Sequence, residues 1–305
     1  MLECVVNVSE GRRPELLEGL AQAATAATTR RAVTTASGTP MAAVIDVHSD
    51  PDHNRSVLTL AGRTRAVREA VRALVRRAVQ TLDLSVHGGA HPRFGVVDVV
   101  PFVPLFSEPM ATAMEERDAF AAWAGRELGL PCFLYGPERG GTGRTLPEVR
   151  RGAFTALAPD CGPAAADPRV GACAVGARPV MLAWNLWLGG WDVSAARRLA
   201  GELRGPDVRA LAFELPAGLQ LSFNLLAPLV TGPAAVYDRV VRAGAPVVRA
   251  ELVGLAPAAL LEATDRRLWP DLDLDPARTI EARLEAAGIG FRAPGSGRAG
   301  EGAPI

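Results

Sequence analysis

The sequence predicts an α/β (α+β) chain of two ferredoxin-like βαββαβ units with a ligand cleft between them. Three observations carry this. Segments of period 2 and period 3.6 alternate in the order β-α-β-β-α-β over the first hundred residues. The same order returns over residues 175–253. A stretch rich in Pro, Gly and Ala, residues 158–171, lies between and reads as the linker. The expected units are 1–159 and 160–270. A helix and a tail too rich in Gly, Pro and Ala to pack fill 271–305.

Each element has its own signal. Residues 3–9 form a short apolar strand. Residues 14–28 form a helix, with Pro14 and Glu15 suited to its first turn. Strands at 43–48 and 56–61 flank the polar turn 49–55. Residues 65–82 form an amphipathic helix, with Val67, Ala70, Val71, Leu74, Ala78 and Leu82 on one stripe. Residues 95–103 are a β-branched run, as in a buried strand. A helix near 111–127, a strand at 132–135 and a helix at 146–157 complete the first half. The second unit is expected as a strand at 175–187, a helix at 193–203 and strands at 208–214 and 219–225. A helix at 234–243 and a strand at 246–253 close it. One further helix follows Ala277.

Composition narrows the function. The chain has 305 residues, 49% apolar and 22% charged, which excludes a disordered or fibrous chain. Thirty-three basic residues balance 33 acidic ones, against the basic surplus of a nucleic-acid binder. Every basic residue is Arg, so Schiff-base chemistry and a phosphate loop ending in Lys are excluded, and acid recognition falls to guanidinium groups. Cys4, Cys132, Cys161 and Cys173 form no C-x-x-C pair. No apolar run is long enough to span a membrane and no secretory leader is seen, so a soluble cytoplasmic protein is expected.

All four histidines fall within 44 positions: His48, His53, His87 and His91. The densest stretch, His87-Gly88-Gly89-Ala90-His91-Pro92-Arg93-Phe94-Gly95, lies between a helix and a buried strand, where loops often carry catalytic groups. An imidazole can accept and donate a proton near neutrality. The alternative is a loop His that caps a helix end, a role that suits His87 better than His91. Asn54 and Arg55 open the third strand and could offer an amide and a guanidinium to a carboxylate; a plain solvated turn is the competing reading. The four His with Asp46, Asp50, Asp52 and Asp98 also permit a metal-dependent hydrolase. Gly88, Gly89 and Pro92 oppose the helical ligand pair it would use, so no metal is expected. Arg178, after a run of small residues, is a further candidate acid-binding group.

At these residues the chain resembles the glutamate formimidoyltransferase family, the transferase half of formimidoyltransferase–cyclodeaminase. The likeness runs in order from Glu3 to about Leu284. It includes Glu3-Cys4-Val5-Val6-Asn7-Val8-Ser9-Glu10-Gly11, Asp52-His53-Asn54-Arg55-Ser56-Val57 and His87 to Asp98. It continues through Asp160-Cys161-Gly162-Pro163, Val175-Gly176-Ala177-Arg178, Gln220-Leu221-Ser222-Phe223-Asn224-Leu225 and Glu251 to Pro257. The resemblance implies transfer of a formimidoyl group from N-formimidoyl-L-glutamate to N5 of tetrahydrofolate, a step of histidine degradation. His91 falls on the family's catalytic His. The folate segment falls on Gly162-Pro163-Ala164-Ala165-Ala166-Asp167-Pro168-Arg169-Val170-Gly171. Arg55, Arg93 and Arg178, with Asn54, are the expected partners of the donor's carboxylates. The resemblance also implies a homodimer, with any cyclodeaminase a separate protein. Gly88 and Ala90 stand where the family motif has Lys and Glu, and Trp187 where it has Asn. These departures leave open a transferase with another donor, such as formylglutamate, or a non-catalytic folate-binding protein.

Overall fold

The computed structural model describes residues 1–29, 40–90, 92–138 and 143–291. The first half runs β1 (Leu2–Val8), α1 (Pro14–Thr28), β2 (Ala42–Asp50), β3 (Arg55–Gly62), α2 (Thr64–Thr81) and β4 (Val97–Pro104). It continues with α3 (Met110–Leu128), β5 (Cys132–Tyr135), α4 (Leu146–Gly152) and β6 (Cys173–Ala177). These strands form one sheet in the order β2-β3-β1-β4-β6-β5. Its first four strands are antiparallel in the ferredoxin-like order, and β6 and β5 extend it in parallel.

The second half runs β7 (Leu182–Leu188), α5 (Val193–Leu203), β8 (Val208–Leu215), β9 (Gly218–Leu225), α6 (Pro233–Arg242) and β10 (Val247–Val253). Its antiparallel sheet has the order β10-β7-β9-β8, the same topology again. Three short helices follow, α7 (Ala258–Glu262), α8 (Trp269–Leu272) and α9 (Ile280–Ala286).

Alternation of side chains along the strands builds two cores. On β1, Leu2, Cys4, Val6 and Val8 face Ala66, Val67, Ala70, Val71 and Leu74 of α2, with α1 and α3 beside it. On β7 and β9, Leu182, Trp184, Leu186, Leu221 and Phe223 face α5 and α6. Each unit therefore keeps its long helices on one face of its sheet. The other face of the first sheet is covered in three parts. Val149 of α4 packs on Val99, Phe133 and Ala174. Ile280 and Leu284 of α9 pack on Ile45, Ala61 and Leu105. The second sheet meets the end of β2 and the turn after it, through His48–Glu251 and His53–Gln220.

Three expectations change. Residues 175–187 are not one strand: β6 ends at Ala177, β7 begins at Leu182, and the two belong to different sheets. Pro179, which has no N–H for a ladder, lies in the break. Residues 158–171 do not link the units but lead back from α4 into β6 of the first sheet. β6, beyond the expected division at 159/160, hydrogen-bonds β4 and β5. The helix expected over 146–157 stops at Gly152, and Phe154 adopts φ of 60°.

Candidate active site

Asn54, His87 and Arg93 gather where the first sheet's loops meet. Asp50 Oδ1 accepts the N–H groups of Asp52 and His53, both at 2.8 Å, and so closes the turn after β2. Asn54 follows with φ of 47°, a left-handed conformation that Asn tolerates. Its Oδ1 accepts Gly11 N–H at 2.9 Å and its Nδ2 donates to the Gly88 carbonyl at 2.9 Å. Its carbonyl lies 2.8 Å from His87 Nε2, which must therefore carry the proton. Burial holds the His87 pKa below its ordinary value, so the ring is neutral at pH 7, and its Nδ1 is buried without a hydrogen-bond partner. His87 thus ties the loop to Asn54; it does not cap α2, which ends at Thr81. A Cβ on Gly89 would lie 2.3 Å from the His53 carbonyl, so only glycine allows this approach. The turn and the loop are one braced unit. The amide expected to meet substrate at Asn54 is engaged in that bracing.

Arg93 folds back over the loop, donating to the Gly89 and His87 carbonyls at 3.1 and 2.7 Å. Leu84, Gly89, Ala90, Pro92 and Arg93 line a surface depression of about 480 Å³. His91 lies outside the described residues. On its far side, a bulge in β4 opposite Asn7 and Val8 places Asp98 off the ladder. Asp98 is 1% exposed; its Oδ1 accepts Phe94 N–H at 3.1 Å, and Arg150 grips both of its oxygens.

Arg55 hydrogen-bonds Asn7 Oδ1 at the head of β3. Burial lowers its pKa to about 10, with Asp98 opposing the shift, so the guanidinium stays charged at neutrality. Arg178 lies elsewhere. It follows Ala177, which pairs with Phe102, and Phe102 pairs with Cys4, whereas Arg55 lies beyond the Ser56–Val8 pair. The two arginines are therefore roughly six strand positions, about 20 Å, apart along the sheet. The structure brings Arg55 and Arg93 to one end and leaves Arg178 at the other. The stretch Gly162 to Gly171 is mostly exposed. Its later part joins the loop: Arg169 pairs with Asp83 at 3.0 Å, Leu84 N–H donates to the Arg169 carbonyl, and Gly171 packs against the Phe94 carbonyl. Its start, Gly162, packs on Leu130 and Gly125 at the end of α3.

The second unit closes over this end through a polar seam. His53 Nε2 lies 3.0 Å from Gln220 Oε1, and its ring meets Phe213 edge-on at 5.0 Å. Asp52 Oδ2 accepts Ala217 N–H at 3.2 Å. His48 Nε2 lies 3.6 Å from Glu251 Oε1, while Glu251 Oε2 accepts Trp187 Nε1 at 2.9 Å and Asn185 Nδ2 at 3.3 Å. Burial pushes the Glu251 pKa upward, but these three donors outweigh it and hold the carboxyl down at about 2. Arg249 stacks 4.3 Å over the Trp187 ring.

Residues 1–178 match the formiminotransferase domain, N-terminal subdomain. The chain belongs to the formiminotransferase family. Its relatives include a formimidoyltransferase-cyclodeaminase from Sus scrofa, 36% identical over 86% of this chain and 51% of that protein. The chain thus spans about half the length of the bifunctional relative. A glutamate formimidoyltransferase from Streptococcus pyogenes serotype M1 is 32% identical over 86% of this chain and 90% of its own. Another, from Thermoplasma acidophilum, is 29% identical over 94% and 98%.

Within this formiminotransferase fold the described histidines, and Asp98, each face another partner. His53 faces Gln220, His48 faces Glu251, His87 is bound to the Asn54 carbonyl, and Asp98 is held by Arg150. Among the described residues no group of three or more His, Cys, Asp or Glu could hold a metal ion. No described helix is long and apolar enough to cross a membrane. Arg150 was not legible from sequence, since its partner Asp98 lies 52 positions away and no periodicity links them. Gln220 and Glu251 stand in the family-like motifs, but only the structure places them on the seam.

Proposed function

We propose that this chain is a glutamate formimidoyltransferase, transferring the formimidoyl group of N-formimidoyl-L-glutamate to N5 of tetrahydrofolate. The observation that carries the reading is the braced, glycine-lined loop around His91, in a chain that belongs to the formiminotransferase family. N5 attacks the amidine carbon, and a C–N bond forms. His91 takes the N5 proton and returns it to the departing glutamate nitrogen as the old C–N bond breaks. Arg93, in the wall of the depression, and Arg55, charged and buried at the strand head, supply the cationic field for the donor's carboxylates. Tetrahydrofolate lies along the seam between the units and against the Gly162–Gly171 stretch, whose later part adjoins the loop. Both molecules are substrates, and no step calls for a metal. Arg178, at the far end of the sheet, contacts a distal part of a bound molecule rather than the reacting carbon.

Replacing His91 by Ala tests the role directly. The expected result is a loss of about two to four orders of magnitude in kcat with tetrahydrofolate affinity near wild type, because the lost interaction belongs to proton transfer. Full turnover by His91→Ala with a verified substrate contradicts the mechanism. A second reading, a one-carbon transferase with a different donor, is favoured by Trp187. Its indole is held on the seam by Glu251 and Arg249 where the family motif has Asn.

A further inference from the structure

We propose that Arg150 and Asp98 form a positioning clamp on the loop that carries His91, so that Arg150 governs the rate of transfer through the loop's geometry. The inference rests on the reading of His91 as the acid/base group. Arg150 holds three points just past that residue. Its Nη1 donates to the Pro92 carbonyl at 3.3 Å. Its guanidinium spans the two carboxylate oxygens of Asp98, at 3.2 and 2.5 Å, and Asp98 in turn accepts Phe94 N–H. The same guanidinium lies 5.5 Å over the Phe94 ring. On the near side, Ala90 N–H donates to the Asp52 carbonyl at 3.3 Å and Asn54 grips Gly88. The loop is therefore anchored immediately before and immediately after position 91.

Several features fit positioning better than bulk stability. Asp98 leaves the β4 ladder at a bulge, a device that re-aims side chains beside sites. Arg150 sits on α4, a helix of seven residues whose buried contact with the sheet is Val149. The planar fork of Arg serves Asp98, the Pro92 carbonyl and the Phe94 face together, which a lysine ammonium cannot do. Small displacements of a catalytic group are costly to rate even when binding survives.

The test uses the full chain with three variants, Arg150→Met, Arg150→Lys and, as control, Arg68→Met. The control breaks a comparable pair, Arg68 Nε to Glu116 Oε2 at 2.7 Å, which joins α2 to α3 away from the loop. Steady-state kinetics, tetrahydrofolate binding, melting midpoints and amide exchange at residues 93–96 are measured. Arg150→Met is expected to lower kcat about 10- to 100-fold, with donor KM and folate affinity within about threefold and faster exchange at residues 93–96. Arg150→Lys, which keeps the charge beside Asp98, is expected to recover the melting midpoint but not kcat; it also carries the test if Arg150→Met does not fold. Arg68→Met is expected to lower the midpoint and leave kcat unchanged. Unchanged kcat in both Arg150 variants overturns the clamp, as does an equal kcat loss in Arg68→Met. A slow His91→Ala beside fully active Arg150 variants contradicts the clamp and leaves the acid/base reading standing, whereas a fully active His91→Ala contradicts the reading on which the clamp rests, so the two failures are separable.

Discussion

Glu3 shows how one buried residue couples to pH. It lies on the face of β1 opposite α2, 4% exposed. Burial raises its pKa to about 7, with Arg178 opposing the shift and Glu281 adding to it. A carboxyl whose folded pKa is raised binds its proton more tightly in the native state. Its contribution is complete below the unfolded value, near 4.5, and is lost as pH rises through 7. Glu3→Gln removes the ionisation and keeps the shape. In urea unfolding it should gain on the order of 2–3 kcal/mol over wild type at pH 8, and the gain should vanish at pH 4. A pH-independent difference between the two proteins would show that Glu3 titrates normally.

Among elements, the loop and its turn depend on close backbone approach. Gly89→Ala drives a Cβ to 2.3 Å from the His53 carbonyl and must separate the two segments. It should lower kcat at least about tenfold by displacing the loop. Gly19→Ala in α1, where a Cβ meets nothing within 4 Å, should add about 0.5–1 kcal/mol and leave the rate unchanged. Comparing the two by kinetics and thermal melting checks both. Most elements were legible in the sequence because they bury one stripe or one face: α1 and α5 lie where periodicity places them, and β5 likewise. The failures share a cause. The continuous apolar run over 175–187 hides a change of sheet, since periodicity reports burial and not the identity of the neighbour. Bulges at Ile45, Asp98 and Val248 re-aim the charged residues beside them and leave no composition signal. At the site, the His87–Phe94 loop and the Asn54 turn were readable from Gly, Pro and Asn chemistry. The Asp98–Arg150 pair and the His53–Gln220 contact were not, because each joins residues far apart in the chain.

Across the whole molecule, the C-terminal segment binds the units together. Ile280, Leu284 and Ile289 follow the second sheet in sequence yet pack on Ile45, Ala61 and Leu105 of the first half. Leu284→Ala, at a fully buried site, should cost about 2–4 kcal/mol and lower the melting midpoint by calorimetry. A near-zero change would mean that α9 does not hold the halves together. The units also share the seam at His48–Glu251, Asp52–Ala217 and His53–Gln220, so the second unit presses on the turn that braces the loop. On the proposed reading, both units thus contribute to formimidoyl transfer. The most direct measurement is a spectroscopic assay of the full chain with tetrahydrofolate and, separately, formimidoylglutamate, formylglutamate and formimidoylglycine. The expected result is 5-formimidoyltetrahydrofolate and free glutamate in equal amounts from formimidoylglutamate, with turnover from the other two far slower. Turnover of formylglutamate alone, or of none of the three by a folded protein that binds tetrahydrofolate, would contradict the claim.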